Sequence, residues 1–100
     1  MLYIPCKDEN EAKMIGSSLV KHKLAACTNI FPISSIFMWK GELAGEEEAA
    51  LLVKTAQDKY DEAEAEVKRL HSYDVPAIIS IRINANKEYE RWLRSELTRK

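Results

Sequence analysis

The sequence predicts an α+β fold: an antiparallel sheet in βαββαβ order, helices on one face, and an extra helix at the C-terminal end. Three observations predict it. Two segments repeat apolar residues at helical spacing: Ala12, Ile15, Leu19, Val20 and Leu24 in the first, Tyr60, Ala63, Val67 and Leu70 in the second. Each is flanked by short apolar runs of strand character. Gly41 and Gly45 fall between two such runs and read as a hairpin turn. Two split βαβ units of this kind make a ferredoxin-like sandwich, and a third helical stripe completes the chain.

Taken in order, Leu2–Cys6 is the first strand. Pro5 is its one discord. The order places this strand centrally, where proline cannot donate to a ladder, so Pro5 is expected at the last paired position or at a bulge. Asp8 with Glu11 makes a capping-box-like start to the first helix. That helix is expected to end near Lys23, where Lys21, His22 and Lys23 suit the C-terminal dipole. Ile30–Trp39 reads as a long strand interrupted by Pro32, and Ala49–Lys54 as its hairpin partner. Glu46-Glu47-Glu48 then reads as a solvated hairpin shoulder that discourages edge pairing. Asp58 is the expected cap of the second helix. Ala77–Ile83 is the fourth strand, alternating Ile79, Ile81 and Ile83 with Ser80 and Arg82. Glu88–Leu97 is the last helix, with Tyr89, Trp92, Leu93 and Leu97 as its apolar stripe.

The bulk properties bound the function. One hundred residues, 46% hydrophobic and 31% charged, fit one globular domain over residues 1–100. A net charge of −1, with Arg99-Lys100 the only basic cluster, gives no electrostatic case for nucleic acid or an anionic membrane. No apolar run approaches the roughly 20 residues that span a bilayer. The start, Met1-Leu2-Tyr3-Ile4-Pro5, has no signal-peptide pattern. Cys6 and Cys27 are too few for a disulfide framework, so a cytoplasmic, reducing setting is expected. There is no Ser-His-Asp order, phosphate loop or paired-carboxylate motif, so no enzyme is expected.

The strand Ile30–Trp39 carries a further expectation. Phe31, Ile33, Phe37 and Trp39 form one row, yet Ile36 and Met38 on the other face are apolar too. A strand half that is apolar on both faces points to an interface between chains. The alternative is that the last helix covers Ile36 and Met38 within one chain.

Three blocks resemble the divalent-cation tolerance (CutA) family. Leu24-Ala25-Ala26-Cys27-Thr28-Asn29-Ile30-Phe31-Pro32-Ile33, continued by Ser35-Ile36 and Trp39-Lys40-Gly41, is similar to its strongest signature. Leu70-His71-Ser72-Tyr73-Asp74-Val75-Pro76 resembles its H-P-Y-E-V-P turn, and Asn86-Lys87-Glu88-Tyr89 with Trp92 its closing helix. The resemblance implies the same fold, a homotrimer whose long hairpin strands pair between subunits, and a link to copper and other divalent ions. It also implies that Cys27, Trp39, Lys54, Tyr73 and Asp74 line clefts between neighbouring subunits.

Within that frame Cys27 is open to two readings, a buried small hydrophobe or a soft ligand for copper. His71 is either a second metal ligand or a helix cap. His22 reads as a surface residue, and Cys6 lies outside the motif. Lys54 beside Tyr73, Asp74 and Trp39 either binds a small anion or forms a structural Lys54–Asp74 ion pair. Four positions depart from the family pattern: Ser72 stands for a proline, Asp74 for a longer glutamate, and Ala77 and Lys40 for glutamates, which removes two potential acidic ligands. Two functions compete: a copper or divalent-cation tolerance protein responding to metal ions, and a PII-like signalling or scaffold trimer holding a small anionic metabolite.

Overall fold

The computed structural model describes residues 1–98; the Arg99-Lys100 pair lies outside them. The elements are β1 (Leu2–Cys6), α1 (Glu9–Lys21), β2 (Cys27–Trp39), β3 (Glu42–Lys54), α2 (Tyr60–Leu70), β4 (Ile79–Ser80) and α3 (Lys87–Thr98). The strands form one antiparallel sheet in the order β2-β3-β1-β4, the expected split βαβ arrangement.

One face of the sheet holds the core. Leu2, Ile4 and Cys6 of β1 and Ala49, Leu51 and Val53 of β3 pack with Ala12, Ile15 and Leu19 of α1 and Ala63 and Val67 of α2. Each large side chain buried here contributes about 2 kcal/mol. Gly16 sets the approach of α1: a Cβ there would lie 2.8 Å from the Thr28 hydroxyl oxygen and 3.2 Å from a Leu51 methyl. Val20, expected in the apolar stripe, is instead 37% exposed at the helix end.

Asp8 and Glu11 start α1 as expected. The Asp8 carboxylate accepts from the Glu11 N–H at 2.8 Å, and a Glu11 carboxylate oxygen accepts from the Lys7 N–H at 3.0 Å. The helix closes in a Schellman arrangement. Leu24 N–H reaches Leu19 O and Lys23 N–H reaches Val20 O, with Lys23 at φ +61°.

Expectations about the hairpin and the start of α2 are corrected. β2 and β3 run to thirteen residues each, because Pro32 stands on an edge strand, where a missing N–H costs no ladder bond. The turn is only Lys40-Gly41, with φ of +51° and +81°, as a two-residue hairpin requires, and Gly45 pairs with Ile36 inside the ladder. Glu46-Glu47-Glu48 therefore alternates across a strand rather than forming a shoulder. Asp58 does not cap α2, which is entered through a 3-10 turn over Gln57–Lys59; its carboxylate pairs with Arg94 of α3 at 3.1 Å.

The fourth strand shrinks from Ala77–Ile83 to Ile79–Ser80, and Pro5 explains one end of it. Pro5 sits opposite Ala50, one position before the β1–β3 ladder ends at Cys6 and Ala49, with no bulge. Its carbonyl, and so its missing N–H, faces the β4 side, where the ladder stops at Tyr3 and Ile79. Ile79, Ile81 and Ile83 are all exposed in the single chain.

The outer hairpin has no cover. Ile36 is 77% exposed, Met38 62% and Trp39 63%. Helix α3 does not reach them; of its stripe Leu97 is buried, while Trp92 stays exposed.

Lys23 is a measurable defect. A side chain in the left-handed region costs about 1 kcal/mol that glycine avoids. Lys23→Gly should raise the urea midpoint at unchanged slope, a stabilisation of about 0.5–1 kcal/mol.

Candidate functional site

The first cluster surrounds His71. It is the C-cap residue of α2, and its backbone N–H reaches Val67 O at 2.8 Å. Its ring lies 2.9 Å (Nε2) from Pro5 O, the carbonyl left open beside the truncated β4. Nδ1 accepts from the Tyr73 N–H at 3.1 Å, so the ring is the neutral Nε2–H tautomer. Glu11 lies beside it, its carboxylate 3.7 Å from Nδ1, and also accepts from the Ser72 N–H at 3.0 Å. Burial alone would raise the Glu11 carboxyl, but hydrogen bonds from Ser72 and Lys7 outweigh it and hold it below its ordinary range.

Cys6 completes the group. One ligand atom each from Cys6, Glu11 and His71 falls within 4.8 Å of the others, all three residues buried. This set can be tested as a metal centre. Burial, with Glu11, Glu48 and Asp8 nearby, pushes the Cys6 thiol up to about 12, which disfavours the thiolate a metal needs. Both His71 nitrogens and both Glu11 oxygens already have partners. The cluster does not fit a ready metal site. It ties the end of β1, the start of α1 and the α2–β4 turn together.

The second cluster grows from that tie. With its backbone held by His71, Tyr73 sets its ring 4.7 Å from the imidazole and donates its hydroxyl to Glu48 at 2.6 Å. Burial and the Glu48 carboxylate both raise the Tyr73 phenol, which stays a donor. Glu46 and Glu48 share a sheet face with Phe37 and Trp39, because alternate positions of paired strands project together. These residues and Asp74 line a cavity of about 740 Å³. Among the described residues, three carboxylates line it and no lysine or arginine does. Glu47 points the other way and accepts from Ser34 at 2.7 Å.

The third cluster stands at the other end of the sheet. Cys27 pairs with Lys54 in register, so both side chains project from one face. Lys54 Nζ sits 5.8 Å from the Tyr89 ring centre. The Tyr89 phenol is raised by burial and by the adjacent Cys27 sulfur. Cys27 is half-buried and free, so its sulfur is neither sealed in the core nor bridged.

Of the expected cleft, the single chain therefore unites Trp39, Tyr73 and Asp74 but leaves Lys54 elsewhere. Lys54 and Glu48 are six positions apart on β3, about 20 Å in an extended strand. No Lys54–Asp74 ion pair forms, and Cys27 and His71 lie at opposite ends for the same reason. The sequence reading missed Glu46 and Glu48 as site residues. The signal was present: a hairpin turning at Lys40-Gly41 puts them on the aromatic face.

Residues 1–96 match the family model described as CutA1 divalent ion tolerance protein. The divalent-cation tolerance protein CutA of Archaeoglobus fulgidus is 43% identical over 93 residues, covering 92% of this chain and 91% of its own length. The solved structure described as the periplasmic divalent cation tolerance protein CutA from that organism superposes with a TM-score of 0.93. It is 41% identical and covers 96% of this chain and 95% of its own. The solved divalent cation tolerance protein of Thermus thermophilus gives 0.91 at 40% identity, over 95% and 94% of the two chains.

The Glu11 carboxyl has a stability consequence. Its folded value lies below its unfolded one, so its stabilisation is present near neutrality and lost as pH falls through the folded value. Glu11→Gln should lower stability at pH 7 by about 1–3 kcal/mol and flatten the decline below pH 4.5, read from urea midpoints at both pH values.

Proposed function

The chain belongs to the CutA1 divalent ion tolerance protein family, and from that premise we propose that it is a homotrimeric divalent-cation-binding protein of the metal-ion response. Copper is the ion to test first. The observation that supports this reading is the cavity beside Tyr73, which gathers Glu46, Glu48 and Asp74 with no basic side chain among the described residues of its wall. Cations are drawn to such a wall by charge, while carboxylate oxygens and aromatic faces supply contacts. Cys27 offers a softer ligand that suits copper. An ion shared by Cys27 and His71 would have to draw on two subunits, and His71 would have to release the Tyr73 N–H. We therefore place Cys27 before His71 as a copper ligand.

The trimer rests on the uncovered hairpin. Ile36, Met38 and Trp39 would leave apolar surface in water unless a second copy covers it. We propose the same assembly as the means of bringing Lys54 of one subunit toward Trp39, Tyr73 and Asp74 of another. Among the described residues no helix is long and apolar enough to cross a membrane, and both cysteines are free. We propose a cytoplasmic, binding role without catalysis.

A second reading is favoured by one observation. Lys54 has no carboxylate partner among the described residues and faces a different cavity from the acids. This is what a PII-like trimer holding a small anion would need.

Copper titration followed by native mass spectrometry tests the first reading. Wild type should retain copper, Glu48→Gln should weaken retention about tenfold, and Cys27→Ser should weaken copper more than magnesium. Equal retention by all three proteins counts against it. Met38→Asp should shift a wild-type trimer to monomer or aggregate in light scattering; a monomeric wild type at micromolar concentration removes the trimer.

A further inference from the structure

The Lys54 end of the sheet carries a cavity distinct from the acidic one. It measures about 370 Å³ and is walled by β3, α3 and the segment after β4. Small-molecule sites begin at about this size. Three basic side chains line it, Lys54, Arg82 and Arg94, against the single acid Glu90. Glu90 accepts from the Ala85 N–H at 3.2 Å, and Arg94 pairs with Asp58 at 3.1 Å. The Arg82 side chain makes no hydrogen bond or ion pair with another described residue, and the Lys54 ammonium makes only its contact with the Tyr89 ring. Two cations thus face one cavity without an ion-pair partner among the described residues. Thr55, in the same wall, holds the one side-chain N or O atom among the described residues that is buried without a partner. Tyr89 and Leu93 give the cavity an apolar side.

We propose that this cavity binds a small organic anion through a phosphate or carboxylate group held between Lys54 and Arg82, with its apolar body against Tyr89 and Leu93. The planar guanidinium of Arg82 can grip two oxygens at once, and Lys54 adds a point charge. The inference deepens the second reading above and is independent of any cation at the acidic end. It also relocates that reading, since the partner of Lys54 is Arg82 rather than Tyr73 and Asp74.

Calorimetric titration of the intact protein at low salt tests it, with phenyl phosphate, benzoate and inorganic phosphate as probes. Phenyl phosphate or benzoate should bind, and whichever binds more tightly names the anionic group. Phenyl phosphate should exceed inorganic phosphate if the apolar wall takes part. Arg82→Gln and Lys54→Gln should each cut affinity about tenfold, as loss of a charge-assisted contact predicts, with unchanged thermal midpoints. Lys13→Gln, which removes a positive charge from the exposed side of α1 outside either cavity, should change nothing. Affinity that falls with Tyr73→Phe but not with Arg82→Gln overturns this siting and leaves the anion-binding reading standing. No binding of any probe overturns both.

Discussion

Pro5 removes one N–H from the middle of the sheet, and much of the candidate site is built around that loss. A proline in a central strand is tolerated where its ring faces a gap in the ladder. Here the gap is the space beyond β4, which pairs only at Leu2 and Tyr3. The orphaned Pro5 carbonyl needs a donor, and His71 supplies it. Once the imidazole is fixed, its other nitrogen fixes the backbone of Tyr73. Tyr73 in turn reaches Glu48 and closes one wall of the acidic cavity. Each step is a single hydrogen bond of about 1 kcal/mol net, but the groups are largely buried, so breaking one leaves its partner unsatisfied. The buried Cys6–Glu11–His71 set belongs to this chain of ties, which explains why it resembles a metal centre in composition but not in availability.

The second constraint is the length of the hairpin. Two thirteen-residue strands carry the sheet well beyond the helices, and the chain extends 46 Å along its longest axis against 21 Å along its shortest. α1 and α2 cover one face of the inner half only. The outer half carries Ile36, Met38, Trp39 and Leu43 in the open. Such a ribbon is unstable as a lone two-stranded element and invites partners. The two features fall on opposite faces of the ribbon: Ile36, Met38 and Leu43 project on the side that the helices cover further in, while Trp39, Glu46, Glu48 and Lys54 project on the other.

The legible parts of the sequence were those governed by local chemistry. The α1 start followed from Asp8 and Glu11, and the sheet order from the alternation of helical and strand periods. The both-faced apolar strand was visible in Ile36 and Met38 and is exposed in the chain as that pattern requires. What was not legible depended on register. Gly45 looked like a turn residue, yet Lys40 tolerates a positive φ and let the turn close two residues after Trp39. That shift converted Glu46-Glu47-Glu48 from a polar shoulder into two cavity residues and one outward one. Asp58 looked like a cap, but α2 is entered through a 3-10 turn and the carboxylate found Arg94 instead. The separation of Lys54 from Tyr73 was likewise hidden, since motif order along the chain says nothing of which sheet end each strand terminus occupies.

The two ends of the open face are electrostatically independent in one chain. They stand about 20 Å apart, more than twice the ~8 Å screening length at physiological salt. Charge at one end therefore has little effect on binding at the other through space. Any coupling between a cation at Glu46, Glu48 and Asp74 and an anion at Lys54 and Arg82 has to pass through contacts. Within the chain that path is β3 itself, which carries Glu48 and Lys54 on one strand paired on both sides. In the proposed trimer the path would be shorter, because a neighbour's outer hairpin would place acids beside bases directly. If the two sites communicate, reciprocity requires that the cation alter anion affinity by the same factor as the anion alters cation affinity. On this structure the assembly, rather than the single fold, is where that linkage would arise.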